Sequence, residues 1–184
     1  MNTNPKNILL GVTASISAYK VCDLITELRA ENYSVTAVMT EDAHHFVTPL
    51  VLESFTANDV IENFFSVAGR KKPIHIELAK KSDVILIAPA TADVIAKLSY
   101  GFAGDVLTCT VLATQAPVII VPAMNDKMYS HPATQENIER LKKRGVIFVP
   151  PIEGHLVCSD QGMGHIADNA TIRKAVHDAL AKKN

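Results

Sequence analysis

Five short apolar runs, at 8–12, 35–39, 84–88, 118–121 and 146–149, constrain this chain more than any other feature. Each is rich in Val and Ile and ends in turn-forming residues, the pattern of a strand buried on both faces. Longer amphipathic stretches separate them. In 18–31 the apolar positions are Val21, Leu24, Ile25 and Leu28, and in 132–144 they include Ile138 and Leu141, spacings that predict helices. Strand alternating with helix requires crossover connections and a mostly parallel sheet covered on both faces. The predicted class is therefore α/β, doubly wound and Rossmann-like, in which ligands bind beyond the carboxyl ends of the strands.

With 184 residues, 48% of them hydrophobic, the chain can bury one sizeable core and is expected to be a single domain over 1–184. No linker, internal repeat or low-complexity stretch interrupts it. The segment 66–73 (SVAGRKKP) is expected to be a mobile loop with solvated positive charges. Eighteen basic against nineteen acidic side chains give a net charge of -1, which excludes a broad electrostatic footprint for nucleic acid or an anionic membrane. The three cysteines, Cys22, Cys109 and Cys158, have neither metal-ligand spacing nor the look of a disulfide framework. Residues 1–7 lack a basic leader region, and eighteen consecutive apolar residues occur nowhere, so a reducing cytosol is the expected location.

Three strand ends carry residues suited to a ligand. The first run leads into Gly11-Val12-Thr13-Ala14-Ser15-Ile16-Ser17-Ala18, where hydroxyls meet the start of a helix. Free N–H groups there bind phosphate without a lysine, although Ser15 or Ser17 could equally serve only as a cap. The loop lacks the G-x-G-x-x-G of dinucleotide folds and so favours a mononucleotide. The third run ends in Ala88-Pro89-Ala90-Thr91-Ala92-Asp93, small residues that admit a flat ring, with Thr91 or Asp93 as the competing cap. Pro122-Ala123-Met124-Asn125 closes the fourth run in the same manner, and the three loops would line one crevice.

Among seven histidines, His75 stands out because it follows the 66–73 loop and precedes the third strand, where it could act as a base or an orienting donor. Cys158 lies in the turn-prone LVCSDQGMGH stretch, expected to be a flap outside the sheet. It is a better candidate for a reactive thiol than Cys22 or Cys109, which sit in helical segments and read as small hydrophobes.

Taken together, GVTASISAYK, the HIELAKKSDVILIAPATADVIAKLSYGFAGDVLT block, PAMNDKMYSHPATQENIERL and LVCSDQGMGHIAD resemble the homo-oligomeric flavin-containing cysteine decarboxylases. Within that family the resemblance is nearest to the phosphopantothenoylcysteine decarboxylases of coenzyme A synthesis, and it covers almost the whole chain. It implies FMN as cofactor, with Gly11, Thr13, Ala14, Ser15 and Ile16 around the phosphate, Thr40 after the second strand, and Thr91, Ala92, Asp93 and Val94 lining it. Ala123 would approach the flavin. Asn125, with Met124 and Met128 in the same segment, would bind the substrate, Asn125 taking its carboxylate. His75 and Cys158 would be catalytic, Cys158 on a flexible flap at about 152–168. The implied partner is the small molecule 4'-phosphopantothenoylcysteine, and the implied assembly is a trimer or a set of trimers with the flavin shared between subunits.

That chemistry is coherent. Direct loss of CO2 from a cysteinyl carboxylate leaves an unstabilised carbanion, whereas oxidation to a thioaldehyde first places an electron sink beside it. Protonation by Cys158 and return of the electrons then give 4'-phosphopantetheine. His75 would take the thiol proton or orient the substrate. Four positions depart from the family pattern: Asp93 where Asn is usual, Tyr129 for Trp, Ser159 for Gly, and His165 for a basic residue. Asp93 would set an unexplained carboxylate near the flavin or its phosphate, or stand favourably at a helix N-terminus. The peptide decarboxylases of lantibiotic biosynthesis stop at an enethiol and do not need the flap cysteine, so Cys158 favours the coenzyme A enzyme. Flavin prenyltransferases lack the His75 and PAMN combination. A non-catalytic flavin-binding regulator is the third alternative, disfavoured by intact His75, Asn125 and Cys158. A chain ending at Asn184 after one terminal helix is expected to be the standalone form.

Overall fold

The computed structural model describes residues 4–65, 72–156 and 159–182. The five apolar runs become β1 (Lys6–Val12), β2 (Tyr33–Met39), β3 (Val84–Ala90), β4 (Val118–Pro122) and β5 (Ile147–Phe148). They form one sheet in the order β2-β1-β3-β4-β5, every pairing parallel. β3 and β4 are buried along their whole length, as unbroken apolar runs require. β5 is shorter than the sequence pattern suggests and pairs only through Ile119 with Ile147 and Ile120 with Phe148. The left-handed turn at Gly145 (φ 87°) precedes it. Pro150 and Pro151 follow, which lack the N–H a ladder needs.

Helices cover both faces. α1 (Val21–Ala30), α2 (Pro49–Thr56) and α8 (Asn169–Ala181) pack on one, where Leu24, Leu28, Leu52 and Val176 meet Ile8, Leu10, Val35 and Leu86. α3 (Ile74–Lys81), α4 (Ala92–Tyr100), α5 (Val106–Ala113) and α7 (Pro132–Lys143) pack on the other through Leu78, Ile95, Leu107 and Ile138. Full burial of each such side chain contributes about 1.5–3 kcal/mol. The stretch 18–31 is not one helix. A 3-10 turn over Ile16–Lys20 comes first, opened by Ser15, and α1 begins only at Val21. Beyond α2 the chain runs back beside the outer edge of β2. There Met39 N–H donates to Ile61 O at 3.0 Å and Ile61 N–H to Ala37 O at 2.9 Å, which occupies an otherwise open strand edge.

A short helix and a hairpin complete the chain's carboxyl-edge side. α6 (Asp126–Ser130) follows β4, and β6 (Ile152–Leu156) pairs antiparallel with β7 (Ser159–His165) in a separate hairpin, where the flap was expected. Among the described residues no helix is long and apolar enough to cross a membrane. Of the segment 66–73, expected to be a mobile loop, residues 66–71 lie outside the described residues.

Candidate active site

Strand order reverses between β1 and β3, so the segments leaving these strands diverge and open a crevice at the carboxyl edge. Hydrogen bonds join its walls. Thr13, fully buried, donates its hydroxyl to Pro89 O at 2.8 Å and accepts from Thr91 N–H at 3.0 Å, which ties the loop after β1 to the loop after β3. Ser15 donates to Ala123 O at 3.2 Å and ties the same loop to the segment after β4. Ser15 also caps the 3-10 turn by accepting from Ser17 N–H, so the capping and site-building readings of this serine hold together. Ala123 N–H returns a bond to Ala90 O at 3.0 Å.

The crevice encloses about 330 Å³, within the range of small-molecule sites. Its floor is small: Ala14, Ala92 and Ala123, flanked by Ser15, Ile16 and Thr91. Met124, Asn125 and half-exposed Met128 line it as well, at its rim. Asn125 caps α6, its side-chain oxygen accepting from Lys127 N–H at 3.0 Å. That leaves the amide NH2 as a donor toward a ligand anion.

The other expected residues take supporting places. Gly11 is buried beneath α5, where an added Cβ would lie 2.7 Å from Leu107 Cδ1, so glycine lets α5 close on β1. Thr40 continues from β2 and donates its backbone N–H to Val12 O at 3.1 Å. Val94 is core, its N–H capped by Thr91 Oγ1. Asp93 occupies the first turn of α4, favourable there for a carboxylate. It is 65% exposed, is not among the lining residues, and meets Lys97 Nζ at 2.8 Å. Its hydrogen bond raises the Lys97 ammonium above its ordinary range.

His75 stands near the start of α3 and is not among the residues lining the crevice. It is half-buried against Phe64, the rings edge to face with centroids 5.7 Å apart. Its buried Nδ1 has no hydrogen-bond partner among the described residues. Cys158 lies outside the described residues, between β6 and β7 in the chain.

Three contributors escaped the sequence reading as site residues. Gly164 packs its backbone on the rim: Met124 N–H donates to Gly164 O at 3.1 Å, and a Cβ on Gly164 would fall 2.0 Å from Met124 O. The glycine pair in Gly162-Met163-Gly164 was the available signal. Lys20 and His165 also line the crevice, with Lys20 Nζ 2.8 Å from His165 Nε2, and burial lowers the Lys20 ammonium below its ordinary value. No local pattern joins residues so distant in sequence. A larger cavity of about 570 Å³, between Phe102, Leu112, Pro117 and Arg144, opens at the other end of β4 and gathers none of the expected residues.

The family described as Flavoprotein matches residues 1–181. The coenzyme A biosynthesis bifunctional protein CoaBC of Haemophilus influenzae is 40% identical over 183 residues, which is 100% of this chain and 46% of that protein. The chain thus spans about half the length of this curated relative. The FMN-dependent cysteine decarboxylase SpaF superimposes with a TM-score of 0.86 at 33% identity, covering 97% of each chain. A cysteine-to-serine mutant of PPC decarboxylase complexed with pantothenoylaminoethenethiol gives 0.84 at 28% identity, covering 98% of this chain and 100% of that one.

Proposed function

The chain belongs to the flavoprotein family, and from that premise we propose that it is an FMN-dependent decarboxylase converting 4'-phosphopantothenoylcysteine to 4'-phosphopantetheine in coenzyme A biosynthesis. The observation that carries this reading is the Asn125 amide donor, set on the rim of a crevice floored by alanines and faced by the β6–β7 hairpin. The likeness to CoaBC, to SpaF and to PPC decarboxylase supports it.

The donor set suits FMN. Ala14, Ala92 and Ala123 leave room for a flat ring, and the Ala14 and Ile16 amides precede the first hydrogen bond of the 3-10 turn, Ala18 N–H to Ser15 O. Thr13, Ser15 and Thr91 hold these loops in register, with Gly11, Thr40 and Val94 behind them and Asp93 on the outer turn of α4. When bound, FMN supplies a two-electron sink for the substrate's cysteinyl carbon and later returns the electrons, so the cycle has no net redox.

The protein's own groups do the rest. Asn125 donates its amide NH2 to the substrate carboxylate and orients it, with Met124 and Met128 against the neighbouring chain. His75 serves the substrate thiol, as proton acceptor or orienting group. Cys158 supplies the proton that the enethiolate needs after CO2 leaves, a step that lantibiotic-type enzymes omit. That His75 is not among the residues lining the Asn125 crevice supports a site completed by a second copy, in a homotrimer or an assembly of trimers working in the cytosol.

Mass analysis of the product tests the proposal. The purified protein should be yellow and should release CO2 from 4'-phosphopantothenoylcysteine with the saturated thiol as product. A flavin-free, inactive protein refutes the reading, and an enethiol end product moves it to the lantibiotic type.

A further inference from the structure

We propose that Lys20, held by His165, is the subsite for the phosphate monoester at the far end of the substrate. This rests on the decarboxylase reading above and names a contact which that reading leaves open.

Lys20 and His165 are the charged or chargeable groups of the crevice apart from the exposed Tyr19 phenol; among the described residues no carboxylate lines it. Among the described residues no carboxylate pairs with Lys20, whose polar contact there is the 2.8 Å one to His165 Nε2. The direction of that contact is fixed. His165 Nδ1 lies 3.0 Å from Ile166 O, and a carbonyl only accepts, so Nδ1 carries the proton and Nε2 accepts from the lysine. His165 thus occupies one of the three ammonium N–H bonds and leaves two for a ligand. A half-buried ammonium with no counter-charge among the described residues, whose charged form burial already disfavours, is stabilised by an arriving anion.

Position indicates which anion. Asn125 and Lys20 line one cavity, an arrangement suited to a ligand anionic at both ends. Lys20 and His165 also form the wall of a second cavity of about 420 Å³, reaching Ile152 and the start of α8. The acidic groups nearby, Asp23 and Asp168, line only this outer space, so they repel phosphate from it and leave the inner face of Lys20 as the favourable contact. FMN also carries a phosphate monoester, and the test separates the two sources.

The test uses flavin-loaded protein, with calorimetric binding of 4'-phosphopantothenate and of unphosphorylated pantothenate to wild type, Lys20→Gln and Lys20→Arg. Lys20→Gln should weaken the phosphorylated ligand by about 10- to 100-fold, the worth of one charge-assisted contact. Pantothenate binding should not change, and Lys20→Arg should keep most of the preference. Equal loss for both ligands, no loss for either, or loss of bound flavin with unchanged ligand preference would each overturn the assignment, the last giving the pair to the cofactor's phosphate. Turnover is read separately. Absence of CO2 release in wild type refutes the decarboxylase reading, while the contrast between the two ligands still decides the subsite.

Discussion

Replacing Thr13 with Val removes one hydroxyl and almost no volume, yet it should be among the more damaging single changes in this protein. The hydroxyl makes two bonds at once, to Pro89 O and from Thr91 N–H, at a fully buried position. Valine leaves both backbone groups unsatisfied. Such a group costs about 1–3 kcal/mol when buried, and because Thr91 is only half-buried the sum should be about 2–4 kcal/mol. For a chain of this size that lowers Tm by about 5–15 °C. Thr13→Ser makes the opposite exchange, keeping both bonds and losing one methyl worth about 1 kcal/mol. The assay is thermal unfolding of flavin-loaded and flavin-stripped protein, beside the FMN dissociation constant. Val should be less stable than Ser in both states and bind FMN more weakly. If Val unfolds within about 0.5 kcal/mol of wild type, or Ser suffers as much as Val, the bridging role of Thr13 is refuted.

The remaining predictions concern chemistry and one helix. His75→Asn should retain flavin absorbance and lose CO2 release; a variant turning over at the wild-type rate removes His75 from the reaction. Cys158→Ser should still release CO2 but accumulate an oxidised or enethiol product, and wild-type yields of 4'-phosphopantetheine would refute its role as proton donor. Asp168 caps α8, its carboxylate accepting from the Thr171 N–H at 2.8 Å and the Thr171 hydroxyl at 2.9 Å, contacts that hold its pKa below the usual value. A depressed carboxylate contributes stability above its unfolded pKa and loses it as pH falls through the folded one. Asp168→Ala should therefore cost about 1 kcal/mol at neutral pH and progressively less below the ordinary Asp range, as Tm measured against pH would show. A pH-independent deficit refutes the charged cap.

Much of the sheet was legible because its signals are local. β3 and β4 carry unbroken apolar runs rich in Val and Ile that only a doubly covered strand accommodates, and the small residues after β1, β3 and β4 mark the crevice whatever the partners. The 3-10 entry to α1 was not legible, since its apolar spacing continues that of the α-helix and the difference lies in how Ser15 bonds. Nor was the inward place of Lys20, whose partner lies 145 residues away, or the docking of Gly164 on Met124, which depends on a hairpin folding back over α6. Asp93 shows the reverse case. Its side chain looked awkward against a cofactor, but one turn of helix carries the carboxylate outward to Lys97.

The bonds that cross-brace the crevice have a consequence for how the protein comes to hold its cofactor. Thr13 and Pro89 are 76 residues apart, Ser15 and Ala123 are 108, so no local segment of the chain contains a binding floor. Contacts of that separation form late, because the loop-closure entropy must be met before they stabilise anything. Flavin capture should therefore begin only once β1, β3 and β4 have paired, and should coincide in time with completion of the central sheet. In refolding, the rise of flavin binding would time the closing of the sheet's middle strands.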